Sequence, residues 1–336
     1  MLETGKLLRS QNPLIHCITS PIAVNDCANA VLAVGARPIM AEHPKEVAGI
    51  TAISRALGVS LANITDARAE SIMISGRQAL QDGLPSVIDV VGVNCSAFRR
   101  DLAKQFIRDC RPAVIKGNAS EIRAIAGAAY GEAGIDTAVA DRVSRDNPGS
   151  IEAAAEVVRC FAKRTGAVVL ASGIIDVISD GETVWLVENG SPLLARVTGT
   201  GCILNCLIAS CLGVLETGDG SVSPDAVAPR GDVASSGVVA PWGDVVSPDA
   251  VAQWEDSMSS NAAKSVCDRR FPDCPSVLQA VCYATTLLGV AGEIAETKLP
   301  QQGALGSYHV ALMDALALTG REEIEKFARI CQYLPG

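Results

Sequence analysis

The chain predicts an α/β fold, a mostly parallel sheet with helices on both faces. Three observations carry this expectation. Short β-like runs alternate with helical patterns over most of the length, which is the signature of strands joined by crossover helices. Several runs are apolar without interruption, such as Val87-Ile88 and Val168-Val169-Leu170, as expected of strands buried on both faces. The 336 residues, 49% apolar and 19% charged, suffice for a large core and exclude a mostly disordered chain.

In order, the first strand is expected over residues 14–19, followed by a helical pattern over 25–34. A short run at 38–40 comes next, then helical patterns over 44–57 and 68–81. Runs at 86–91, 113–115 and 167–171 read as further strands, with helices over 98–109 and 151–164 between them. Residues 176–179 and 183–188 form a second β pair, joined through Asp180-Gly181, a strong hairpin signal. An apolar helix over 203–215 and a helical, Ala- and Leu-rich stretch over 261–298 complete the pattern.

Residues 216–258 differ. They are rich in Gly, Pro, Ser, Asp and Val, and they repeat themselves: Val222-Ser-Pro-Asp-Ala-Val-Ala228 returns at 246–252. The expectation is one domain over 1–336, interrupted by a low-complexity insertion at 216–258. The insertion is either a loop without a role or a docking loop that uses Trp242 or Trp254.

Composition narrows the function classes. With 28 Lys plus Arg against 37 Asp plus Glu, the formal charge is −9, and Arg99-Arg100 is the nearest approach to a basic run. Nucleic-acid binding is therefore not expected. The most apolar stretch, 202–215, is shorter than the ~18 residues a bilayer requires and is interrupted by Asn205 and Ser210. No membrane span and no secretory leader are expected. Twelve scattered cysteines without a CxxC pair read as small buried hydrophobes in a reducing cytoplasm.

Four features carry chemistry. Val197-Thr-Gly-Thr-Gly-Cys202 runs straight into an apolar helix, so glycines and free helix-start N–H groups suit a phosphate. Cys202 stands at that helix start, where a thiol pKa is expected to fall, and it is positioned to take a proton from a substrate hydroxyl. An ordinary glycine turn before a core helix would use the same residues. Asn118 and Glu121 have the spacing of a capping box, which is compatible with Glu121 near a hydrated Mg²⁺ and Lys116 against a nucleotide phosphate. Asp89 closes an apolar strand, and Ser172-Gly173 closes another. His16 and His43 read as structural. Asp89, Lys116 and Ser172 share the carboxyl ends of expected strands, where open α/β sheets bind ligands. A carboxylate, a cation, a hydroxyl and an anion-cradling helix start are the parts of phosphoryl transfer, so the residues point to an ATP-dependent kinase for a small neutral alcohol.

Asn12-Pro-Leu-Ile-His-Cys-Ile-Thr19, Asn25, Ala28-Asn29, Gly35-Ala-Arg-Pro-Ile-Met-Ala41, Pro112-Ala-Val-Ile-Lys-Gly-Asn-Ala-Ser-Glu-Ile122 and Val197–Cys202 occur in the same order as in hydroxyethylthiazole kinases. Over about residues 8–214 and 260–320 the chain resembles that family. The resemblance implies a ribokinase-like three-layer α/β/α fold with a mostly parallel central sheet. It implies a homotrimer with sites between subunits, and Mg-ATP phosphorylation of 4-methyl-5-(2-hydroxyethyl)thiazole in thiamine biosynthesis. It also implies that Met40 and Gly199 bind the substrate, Cys202 acts beside the reacting hydroxyl, Lys116 and Ser172 bind ATP, and Asp89 and Glu121 lie near magnesium. The chain departs from the family's pattern in places. Lys116 stands for an Arg, Ser172 for a Thr, Ser20 for an Asn and Asn94 for a Gly. Asp89-Val-Val-Gly92 stands for Asp-Pro-Val-Gly, and Gly303-Ala-Leu-Gly-Ser-Tyr308 for a Gly-Pro-Gly-Ser-Phe stretch. A kinase for a pyrimidine alcohol and a non-catalytic thiazole-binding protein are the alternatives.

Overall fold

Nine strands hydrogen-bond into one sheet in the order β2-β1-β3-β4-β5-β6-β7-β8-β9. The computed structural model describes residues 2–131, 137–215 and 276–334. The repeat-bearing 216–258 and the first part of the expected 261–298 helix lie outside the described residues. β1 (Leu14–Ile18), β2 (Arg37–Ile39), β3 (Ala56–Ser60), β4 (Ser86–Asp89), β5 (Val114–Asn118) and β6 (Val168–Ser172) are parallel. β7 (Asp176–Ser179) and β8 (Val184–Val187) form the expected antiparallel hairpin. Gly181 takes φ +94 at its turn, and Asp180 Oδ1 accepts from the Glu182 and Thr183 amides. β9 (Ile330–Tyr333) closes that edge.

Helices cover both faces, as the alternating pattern requires. α3 (Val47–Ala52), α4 (Asp66–Gln81), α5 (Ala97–Cys110), α6 (Ala119–Ala126) and α7 (Pro148–Thr165) enclose one core with Leu57, Val59, Ile88 and Ile115 of the sheet. α1 (Leu2–Gln11), α2 (Val24–Ala33), α8 (Thr200–Leu212), α9 (Val277–Thr297), α10 (Leu305–Leu318) and α11 (Arg321–Phe327) enclose the other with Ile15, Cys17, Val87 and Leu170. Neighbouring strand residues thus point to opposite cores, the period-2 rule of a strand. The expected three-layer α/β/α architecture is what the chain forms.

Two expectations change. The helical pattern over 44–57 is not one helix: α3 ends at Ala52, and Ala56–Leu57 already belong to β3. The apolar run hides the break, because β3 is buried on both faces and carries no polar alternation. The run 202–215 enters α8, a buried core helix as expected, but among the described residues the longer apolar helix α9 changes the expectation that no stretch is long enough for a bilayer. α9 is long and apolar enough to cross a bilayer by length and composition, but 78% of that stretch is buried inside the fold.

Candidate active site

Because β1 to β6 are parallel, their carboxyl ends share one edge, and the loops leaving them converge there. Asp89 is the last residue of β4 and lies directly beside Lys116 of β5 in register. Both are almost fully enclosed, at 2% and 4% exposure. Lys116 Nζ lies 3.1 Å from Asp89 Oδ2 and donates to the Gly201 carbonyl at 3.0 Å. One ammonium therefore joins β4, β5 and the first turn of α8.

α8 reaches this edge through a turn that only glycine adopts freely. Gly199 caps the helix with φ +91, and a Cβ there would meet the Ala23 methyl at 2.8 Å. The bend brings the first turn of α8 to the sheet edge, beside Lys116. Farther along, Asn205 Nδ2 donates to the Val59 carbonyl at 3.1 Å, pinning the helix across β3.

α6 starts with the expected capping box. Asn118 Oδ1 accepts from the Glu121 amide at 2.9 Å, and Glu121 Oε2 accepts from the Asn118 amide at 2.7 Å. Glu121 Oε1 accepts from Gly92 at 2.8 Å, so the cap also braces the loop after β4. Ser172 closes β6 opposite Asn118 and donates to the Gly117 carbonyl at 3.2 Å.

The electrostatics are those of crowded, dry acids around one cation. Burial pushes the Asp89 carboxyl up against the pull of Lys116. Burial, reinforced by Asp89, pushes Glu121 up to about 7. Burial opposes the Lys116 ammonium, yet Asp89, Cys202 and Glu121 together hold its pKa above the ordinary lysine value. Cys202 is half-buried, and burial with the nearby Asp89 carboxylate raises its thiol to about 11. The expected fall of the Cys202 pKa is thus reversed: the helix start offers partial positive charge, but desolvation and a neighbouring carboxylate outweigh it.

Asp89, Lys116, Glu121, Gly201 and Cys202 therefore cluster at this edge, with Ser172 on the next strand. Met40 follows β2 at the far end of the same edge, half-buried against the α2–α8 core. His16 is structural, as expected: its Nε2 faces the Ala41 carbonyl and its Nδ1 the Thr51 hydroxyl, both at 2.9 Å. Two buried residues at the edge escaped the sequence reading. Asp176, at the start of β7, accepts from the Gly173 amide at 2.9 Å, and burial raises it to about 7. Arg68, buried in the first turn of α4, is the other. Its signal was an Arg where a Thr-x-x-Glu cap is expected after Thr65.

The residues suit a hydrated divalent cation. Asp89 Oδ1 is buried without a hydrogen-bond partner. Among the described residues no group of three or more His, Cys, Asp or Glu forms a protein cage. Mg²⁺ needs none, since it keeps its waters and uses one or two carboxylates with substrate phosphates.

Residues 6–228 match the model of the hydroxyethylthiazole kinase family. The chain is 47% identical over 221 residues to hydroxyethylthiazole kinase 2 of Clostridium botulinum strain Hall, covering 66% of this chain and 82% of that protein. It is 42% identical over 207 residues to the hydroxyethylthiazole kinase of Desulfovibrio desulfuricans, covering 62% and 72%. The structure of a hydroxyethylthiazole kinase protein from Pyrococcus horikoshii superposes with TM-score 0.72 at 24% identity over 99% of this chain and 98% of that one. A ribokinase-like superfamily protein from Enterococcus faecalis superposes with TM-score 0.54 at 9% identity, over 94% and 95%. These two likenesses show the ribokinase-like fold.

Proposed function

The chain belongs to the hydroxyethylthiazole kinase family, and on that premise we propose that it transfers the γ-phosphoryl group of ATP to the hydroxyl of 4-methyl-5-(2-hydroxyethyl)thiazole, a step of thiamine biosynthesis. The observation that carries this reading is the meeting of Asp89, Lys116, Glu121 and Cys202 at the glycine-bent start of α8.

Asp89 and Glu121 would hold Mg²⁺, which supplies charge neutralisation across the β- and γ-phosphates when bound. Asp89 has the free carboxylate oxygen for it, and Glu121 holds the Gly92 loop in place. Lys116 and the amides of 199–202 offset charge on the transferring group in a site that excludes water. Ser172 contacts ATP one strand away. Met40 presents a soft sulfur to the thiazole ring, and Gly199 lets the backbone approach it. A thiol raised to about 11 stays protonated at neutral pH and cannot act as an early base. Cys202 therefore orients the acceptor hydroxyl. In a loose transition state the hydroxyl proton leaves late, so little base strength is needed.

The sheet ends at β2, on the Met40 side of this edge, and Ile22, Leu32 and Ile53 are exposed on the flanking loops and on α2, which supports a homotrimer packed at that end. The ten described cysteines are all free, which supports a reducing cytoplasm. The 221 matched residues make up 82% of the botulinum relative but 66% of this chain, which supports one kinase domain lengthened by the 216–258 insertion.

A coupled ADP assay tests the reading. ADP release is expected to depend on both the thiazole alcohol and Mg²⁺, and to stop with EDTA. Equal release with a hydroxymethylpyrimidine, or binding without release, would overturn it.

A further inference from the structure

Arg68 breaks two rules of helix starts. It stands in the first turn of α4, at the positive end of the helix dipole, where a cation is disfavoured. It also fills the third position after the Thr65 cap, where Glu or Gln would close the box. Its side chain is nevertheless 4% exposed. Burying a guanidinium is costly unless its donors are used, and here both terminal nitrogens donate. Nη2 donates to the Thr19 carbonyl, and Nη1 donates to the Ala62 and Asn63 carbonyls at 2.8 and 2.9 Å. Nε faces Glu42 Oε2 at 3.4 Å.

Those partners come from three loops. Thr19 follows β1, Glu42 follows β2 two residues past Met40, and Ala62–Asn63 follow β3. β2, β1 and β3 are neighbours in the sheet, so one planar fork ties three adjacent strand ends together. Two further bonds lock the same loops: Ser20 Oγ to Asn63 Oδ1 at 2.7 Å, and Ser71 Oγ to the Glu42 carbonyl at 2.8 Å. The guanidinium also lies on the Cys202 side of the edge, near that thiol. None of these bonds reaches β5, β6 or Ser172.

We propose that Arg68 is a positioning residue for the acceptor alcohol: by fixing the Thr19, Glu42 and Asn63 loops against one another, it sets how the heteroaromatic ring and its hydroxyl lie against Met40 and Cys202. The assignment rests on the thiazole-kinase reading above. A lysine keeps the charge but loses the planar fork and cannot serve three carbonyls on two loops. Misplacing the acceptor by a fraction of an ångström costs alignment as well as binding.

The test is steady-state kinetics of the full chain with wild type, Arg68→Lys and Glu42→Gln, varying the thiazole alcohol and ATP separately, with melting curves for each. For Arg68→Lys the KM for the alcohol is expected to rise about tenfold and kcat to fall several-fold, with the KM for ATP within about twofold. Glu42→Gln should raise the alcohol KM about threefold. A folded Arg68→Lys with an unchanged alcohol KM, or with both KM values rising together, overturns the proposal. If Arg68→Lys does not fold, Glu42→Gln decides, and an unchanged alcohol KM there overturns it equally. A wild-type chain that ignores the thiazole alcohol instead overturns the functional reading, and the role of Arg68 falls with it.

Discussion

Lys116 and Arg68 are both buried cations at the carboxyl edge of the sheet, and they differ in what they face. Lys116 is enclosed with a buried carboxylate, Asp89, and one helix carbonyl. Arg68 spends its donors on backbone carbonyls of the loops after β1 and β3, and its carboxylate partner from the loop after β2, Glu42, is 54% exposed. The first arrangement puts charge where the chemistry needs it, at β4, β5 and the start of α8. The second puts rigidity where a neutral acceptor needs it, at β2, β1 and β3. On the proposed function, the edge thus divides into a charged half for the phosphates and a hydrogen-bonded half for the alcohol.

Removing the carboxylate of the charged pair should have the largest effect. Asp89→Asn keeps the shape but leaves the Lys116 ammonium buried against a neutral partner. Turnover is expected to fall by about 10³, and unfolding free energy by about 3 kcal/mol, since breaking a buried pair strands the other charge. Glu42→Gln, the matching change in the other half, should cost stability less than about 1 kcal/mol, because that carboxylate is half in water. Urea titrations and the ADP assay measure both. Equal stability losses would erase the contrast between the halves.

Cys202→Ala comes next, and it separates orientation from base catalysis. Turnover should fall about 10², not vanish, because the base matters modestly in a loose transition state. A protonated thiol also predicts that kcat shows no rise tracking a Cys202 ionisation between pH 6 and 9. Unchanged turnover in the alanine variant would remove the thiol from the mechanism.

How much of this was legible in the sequence follows the same division. Asp89, Lys116 and Ser172 were legible as neighbours because polar residues closing apolar strands stand out and parallel topology sends strand ends to one edge, and Glu121 through its capping-box spacing from Asn118. Arg68 was not, because it arrives from a helix start rather than a strand end, and its partners are backbone carbonyls that no side-chain pattern encodes. Asp176 was hidden by its place at the start of an antiparallel strand, which looked like hairpin chemistry alone. The pKa of Cys202 went the other way because the rule for helix starts describes exposed thiols, and burial is a property of the fold. β3 was lost inside an apolar run where strand and helix look alike.

Asp176 gives a smaller effect, read in pH. Its folded carboxyl titrates near 7, raised by burial from the ordinary value of 3.8. The folded state therefore holds a proton that the unfolded state releases, and stability falls as pH rises from about 4 through 7. Between pH 5 and 7 the loss is about 2 kcal/mol for this group alone. Asp176→Asn can still accept from the Gly173 amide and should flatten that part of the profile. Melting curves across pH 5–8 compare the two. Parallel profiles would show that Asp176 is ionised in the fold.

The smallest expected effect is that of removing residues 216–258. Every residue assigned to either half of the edge, from Thr19 to Cys202, precedes this segment. α8 and α9, which flank it, are buried core helices of the same layer. Deletion leaves residues 259–275 to join the end of α8 to the start of α9. Loop-closure cost grows only logarithmically, so the shorter connection should change stability by about 1 kcal/mol, in the stabilising direction. Turnover and both KM values are expected to stay within about twofold of the full chain, since no residue assigned to the site lies within the segment. A selective rise in the alcohol KM would place the segment over the hydrogen-bonded half, and a selective rise in the ATP KM over the charged half. Either result would give the repeats a function that an inert surface loop does not have.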